Sequence, residues 1–381
     1  MTITAGSAED LIATIPYSLG FHPRDSVVAV LTRDGRLRMM ARLDLPGDPA
    51  ARAQFAAQCD LLMAQLPGAA ASEGHLVVYG DGDPGWEGLL AVGDRLAQQG
   101  LEIPFAARVH AGRWCHLGCL DPGCAGDWHP MPEPADCPTV AELVGHGRTA
   151  LPDRALLAAA LRPDPRTLAA PPPGERRLTI PVPARRDWLR LLRAAPPGCG
   201  PAYDPSPAAA GRLVRSLIDR DFRDALIAAL APGTVSAADL PASAVARVRG
   251  LLVGAAAPGE ILELLDGDRG WDHAVDEVLC ARTSPWRAEM LQRLIATARL
   301  GYRPVSAHAY AVVAFVAGGL GQGTPMVEAM SQALAADPDH RLTLLLQQSL
   351  DRGVFPFLLR GNAAARTERR PNLPGWSGTL N

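Results

Sequence analysis

The residues best suited to chemistry crowd into one Pro- and Gly-rich stretch: Cys115, His116, Cys119, Cys124, His129 and Cys137. Zinc takes about four Cys or His ligands in a tetrahedral array, and a short loop can present them when turns reverse the chain between ligands. The spacing Cys115-x3-Cys119-x4-Cys124-x4-His129 is near that of a metal site but lacks paired Cys-x2-Cys knuckles. Three readings follow: a structural zinc on Cys115, Cys119, Cys124 and His129, a cystine between Cys119 and Cys124, or buried free thiols. If residues 113–117 form a strand, Cys115 and His116 face opposite sides, so both ligate only across a bulge.

Two other segments carry polar groups at turns. Gly80-Asp81-Gly82-Asp83-Pro84-Gly85 follows a strand-like run and precedes a helix-like one. Ligands in open α/β sheets bind at such places, yet Asp81 and Asp83 oppose an anion; they suit a cation, or Asp83 caps the helix with Pro84 in its first turn. The second segment holds Tyr17, His22, Arg24, Asp25 and Ser26. A Ser, a His and an Asp invite a nucleophile–base–acid reading, against which stands a turn set by Gly20 and Pro23 with Phe21 packed inward. Arg223 and Asp224 are adjacent in a helical stretch and are expected on a solvated face without pairing to each other. His308 and His340 read as ordinary helix histidines, and the short Arg366–Arg370 run implies no nucleic acid.

The elements that must position these residues are legible in outline. With 381 residues the chain is expected to form about two or three domains. Hydrophobic residues at 48%, charged residues at 20% and a formal net charge of -3 exclude wholesale disorder and a strongly basic nucleic-acid binder. All 37 Lys and Arg positions are Arg. A short helix is expected over residues 10–16. A β-branched run at 26–32 then reads as a strand buried on both faces, and Asp34-Gly35 as a hairpin turn to a partner at 37–45. Helical spacing at 49–66 and 86–99 alternates with strands at 75–80, 103–110 and 113–117, giving an α/β N-terminal domain with a mixed sheet and flanking helices over 1–150.

Residues 151–205 are Pro-rich and read as a connecting region, and 206–358 as an all-α domain with helices near 213–230, 242–256, 259–265, 271–281, 286–299, 306–318, 326–336 and 342–352. Tyr310, Ala314 and Phe315, a turn at 318–323, then Ala329, Ala333 and Asp337-Pro338 make a tetratricopeptide-like helical hairpin; with one such unit where a solenoid needs about three, it is either an ordinary helical hairpin or a peptide-binding groove. Residues 359–381 are expected to be a disordered tail. Neither a signal segment at the N-terminus nor an apolar run of about 20 residues is found, so a cytoplasmic location without a membrane span is expected. Seven cysteines in such a compartment are thiols or metal ligands before they are a disulfide framework.

Several segments together resemble the bacterial family called domain of unknown function 4192. They are Pro16-Tyr17-Ser18-Leu19-Gly20-Phe21-His22-Pro23-Arg24-Asp25-Ser26-Val27-Val28; Gly112-Arg113-Trp114 followed by Cys119 and Cys124; Arg223-Asp224-Ala225; and Ala333 to Pro338 leading to Leu344-Leu345-Leu346 and Asp351-Arg352-Gly353. The resemblance spans roughly residues 10–356, implies a high-GC Gram-positive source and carries no assigned activity. With no catalytic motif in view, the expected function is non-catalytic binding or regulation through a protein partner or small ligand, without nucleic acid or membrane. The rival is an enzyme with a small-molecule site near Tyr17, His22, Asp25, Ser26, Asp81 and Asp83.

Overall fold

The computed structural model describes residues 7–80, 82–117, 128–145, 148–166, 182–193, 203–231, 239–255 and 284–352. Helix α1 (Ala8–Leu19) leads into strands β1 (Ser26–Arg33) and β2 (Arg36–Asp44), then α2 (Pro49–Ala69), β3 (Glu73–Tyr79), α3 (Gly82–Gln98), β4 (Glu102–His110), β5 (Arg113–His116) and β6 (His129–Pro130). The sheet order is β2-β1-β3-β4-β5-β6, with β3 and β4 parallel and the other neighbours antiparallel. It is the expected mixed sheet. β1 is flanked on both sides and covered on both faces, which is why its sequence is an unbroken apolar run. Asp34 and Gly35 have φ of 52° and 69°, the two left-handed residues a two-residue hairpin turn requires.

One sheet face, with Val27, Ala29, Leu31, Leu76 and Val78, packs under α2 and α3 through Phe55, Leu62, Leu89 and Val92. Gly88 lets α3 lie close, since a Cβ there would overlap Leu45 Cδ2. The other face, with Val28, Val30, Val77, Tyr79, Ala107 and Trp114, shares one continuous core with Ile12, Ile15 and Leu19 of α1 and with the helical half.

That half comprises α4 (Pro138–Gly145), α5 (Arg154–Leu161), α6 (Val182–Leu192), α7 (Pro207–Ser216), α8 (Arg220–Leu230), α9 (Ala242–Ala255), α10 (Ser284–Arg299), α11 (Ser306–Gly319), α12 (Gly323–Ala336) and α13 (Arg341–Asp351). α11 is buried nearly all round, the mark of a central helix, and α12 folds back on it after a turn in which Gly321 has φ of 68°. The Tyr310 hydroxyl donates to the Leu161 carbonyl at 2.8 Å and joins α11 to α5. Tyr310→Phe is expected to lower stability by about 1 kcal/mol, measurable by urea unfolding.

Two expectations need correction. The first helix runs through Pro16 to Leu19 and ends at Gly20, φ 86°, so Tyr17 is helical rather than in a turn. The Pro-rich stretch at 151–205 carries α5 and α6, whose Leu157, Leu161, Trp188, Leu191 and Leu192 belong to the core. Of the hairpin residues, Tyr310 and Phe315 are buried, while Leu345 of α13 is 49% exposed. No helix among the described residues is long and apolar enough to cross a membrane. The helices expected at 259–265 and 271–281 and the tail at 359–381 lie outside the described residues.

Candidate functional site

Strand pairing lines up one residue from every strand at the end of the sheet where parallel β3 and β4 finish. Asp44 pairs Ser26, Ser26 pairs Tyr79, Tyr79 pairs Val109, Val109 pairs Trp114, and Trp114 pairs His129. Facing residues of paired strands share a face, so this row lies on the side covered by α1 and the helical half. Carboxyl ends of parallel strands are where open α/β sheets hold ligands.

The row is unusual in its polarity under burial. Ser26 is 0%, Trp114 4% and Tyr79 6% exposed, yet among the described residues Ser26 Oγ, Tyr79 Oη and Trp114 Nε1 have no hydrogen-bond partner. Most buried polar atoms are paired, because an unpaired one costs about 1–3 kcal/mol. Burial pushes the Tyr79 phenol pKa up, so it stays protonated and able to donate. One row inward, Arg42 places Nη1 2.5 Å from Asp44 Oδ1, donates from Nη2 to the Arg24 carbonyl and stands over the Phe21 ring at 5.5 Å, while its Nε is unpaired. Asp44 also meets Arg154 at 3.8 Å, and Arg154 bonds Glu328 at 3.0 Å, so a chain of ion pairs links the row to α5 and α12. Ser18 Oγ, on the last turn of α1, is a further buried unpaired hydroxyl. Beside it Arg148 donates to the carbonyls of Ser18, Leu320 and Gly321, tying the ends of α1 and α11 together.

The residues singled out from sequence are mostly dispersed. Tyr17 points away from the row, against Ala13, Cys137 and Val140. His22 is exposed and uses its backbone N–H on the Leu151 carbonyl. Asp25, with φ 42°, accepts from Leu45 N–H through its carbonyl, and its carboxylate lies near Gly80. Among the described residues no hydrogen bond joins His22, Asp25 and Ser26 side chains, so this trio forms no triad. α3 starts at Gly82, one residue before the expected cap, with Pro84 in the first turn where no N–H is needed. Asp81 and the side chain of Asp83 lie outside the described residues.

In the cysteine segment, Cys115 sits on the opposite sheet face from Trp114 and His129, and the His129 ring stacks on Trp114 at 5.1 Å. Cys119 and Cys124 lie outside the described residues. Cys137 is remote, between α1 and α4. Burial pushes the Cys115 and Cys137 thiols up, away from reactive thiolate character. Among the described residues no group of three or more His, Cys, Asp or Glu could hold a metal ion.

Two polar clusters escaped sequence reasoning. Thr32 Oγ1 donates to Glu73 Oε2 at 2.9 Å and lies 3.1 Å from His75 Nε2, at the other end of the same face. Its hydrogen is committed to the carboxylate, so His75 does not serve it as a base. In the helical half, His340 Nε2 meets His308 Nδ1 at 2.9 Å and His340 Nδ1 meets Thr343 Oγ1 at 2.8 Å. Arg223 next to them is 8% exposed and donates from Nε and Nη2 to Asp224 Oδ1 at 2.9 and 2.8 Å. The solvated, unpaired face expected for this dipeptide is therefore wrong: a long guanidinium curls back onto its neighbour's carboxylate once water is excluded.

The family model described as domain of unknown function (DUF4192) matches residues 9–356, nearly the whole chain. The chain belongs to the DUF4192 family. No curated protein and no solved structure matches it. In this DUF4192 chain the segments that carry the resemblance meet in space: Ser26 comes from the opening one and Trp114 from the second, both in the end row, while Arg223 and Asp337 bring the other two to the histidine pair.

Proposed function

We propose that this DUF4192 protein binds a small molecule between the end row of the sheet and α1, and acts as a binding or regulatory protein rather than by catalysis. The observation that carries the reading is the buried, directly paired Ser26 and Tyr79 with no partner for either hydroxyl among the described residues. A fold that needed these positions only for packing would hold Ala and Phe at lower cost. Against catalysis stands the dispersal of His22, Asp25 and Ser26; against peptide capture by the helical hairpin stands the burial of Tyr310 and Phe315.

The test is stability without ligand. Tyr79→Phe removes an unpaired buried hydroxyl and is expected to raise unfolding free energy by about 1 kcal/mol, as binding sites held at a stability cost do. Destabilisation by a similar amount in urea unfolding would mean that an internal water satisfies Tyr79, and the reading would fall.

A further inference from the structure

Among the described residues four buried side-chain atoms without a hydrogen-bond partner lie toward this end of one sheet face, Ser26 Oγ, Arg42 Nε, Tyr79 Oη and Trp114 Nε1, and a fifth, Ser18 Oγ, lies on α1, which shares its core with that face. Every one can donate, and two, the guanidinium and indole nitrogens, can only donate. What complements them is an acceptor. For a cation the row itself offers only neutral hydroxyl oxygens, because the Asp44 carboxylate is engaged by Arg42 and Arg154. An alcohol or sugar would bring hydrogens of its own that need further acceptors. Phosphate would bring extra negative charge against the apolar pair Val28 and Val77 one row inward, beside a single guanidinium already shared with Asp44.

Resting on the binding reading above, we propose that the ligand is a small monocarboxylate with an apolar body. Its two oxygens accept from the Ser26 and Tyr79 hydroxyls, carried by residues that pair across β1 and β3 with Cα atoms about 5 Å apart and side chains on one face. The body lies along the row on Val109 toward Trp114, two strands away from Tyr79. Charge-assisted hydrogen bonds to a carboxylate are stronger than neutral ones, so two hydroxyls suffice to select it over an amide.

The experiment titrates the full chain with sodium benzoate, using benzamide and inorganic phosphate as the neutral and multiply charged counterparts. The readout is the indole N–H signal of Trp114 in NMR, assigned with Trp114→Phe. Benzoate alone is expected to move that signal saturably, and its Kd is expected to rise about tenfold in Ser26→Ala and in Tyr79→Phe, the equivalent of one lost hydrogen bond each. An equal response to benzamide or phosphate would overturn the carboxylate class while leaving the binding reading intact. Benzoate binding indifferent to both substitutions would overturn this site as its place. If none of the three moves the signal, the carboxylate class falls, and the Tyr79→Phe stability measurement judges the binding reading separately.

Discussion

Arg293→Leu is expected to destabilise the protein by about 3–5 kcal/mol, among the largest effects of any single change outside the sheet. Arg293 lies on α10, is almost fully buried, and donates from Nη1 to the carbonyls of Arg190, Leu191 and Arg193 at 3.2, 2.8 and 2.6 Å. Its Nη2 pairs with Glu289, and the guanidinium stands over the Tyr203 ring. The three carbonyls close α6, and the last carbonyls of any helix lack internal donors. One guanidinium therefore satisfies several buried acceptors and the negative end of a helix dipole together. Leucine fills much of the volume and none of those bonds, leaving the carbonyls and Glu289 without their donor. Arg293→Lys keeps the charge without the planar fork and should recover less than half of the loss. Urea unfolding of the two variants beside the parent decides it; an Arg293→Leu value within about 1 kcal/mol of the parent would show that α6 does not depend on this clamp.

The same clamp marks the limit of what was legible in the sequence. Local signals were strong where one residue's environment is set by its immediate neighbours in the chain. The run of β1 announced a strand covered on both faces, and Asp34-Gly35 a hairpin turn, because alternation and positive φ are local properties. Pro16 misled because a proline inside a helix forfeits one hydrogen bond without ending it when flanking turns are buried. Taking 151–205 as one Pro-rich connection hid α5 and α6, although Leu157 and Leu161, and Trp188 and Leu191, sit at helical spacings. The site was half legible. Ser26 stood in a conspicuous segment, but its neighbours Tyr79 and Trp114 are 53 and 88 positions away in sequence, and only strand register brings the three into one row. Composition hinted at the rest: a chain whose cations are all Arg has many forks to spend on helix ends, as Arg148 and Arg293 do.

Acidification is expected to remove about 3 kcal/mol of stability through the His308–His340 pair as pH falls from 6.5 toward 4. Burial, then His340 and Arg223, hold the His308 pKa down to about 4 from an ordinary 6.5, with Asp337 opposing. Burial and Arg223 lower His340 as well. The sign follows from proton counting. Below pH 6.5 the unfolded chain takes up a proton that the folded His308 refuses, so the unfolded state gains; above pH 6.5 both are neutral and the full stability is present. Geometry makes the refusal strict, because the 2.9 Å contact needs one ring nitrogen to donate and the other to keep its lone pair. Two protonated rings have no lone pair to share, and the Arg223 guanidinium, though paired with Asp224, faces them from α8. His340 is the N-cap of α13 and its ring meets Thr343 in the first turn, so α13 is the element that protonation is expected to loosen. The measurement is urea unfolding at about pH 7 and about pH 4.5 for the parent and for His308→Gln, which is neutral at both. The parent should lose about 2–3 kcal/mol more than the variant across that interval, and equal losses would assign its acid sensitivity to carboxylates elsewhere.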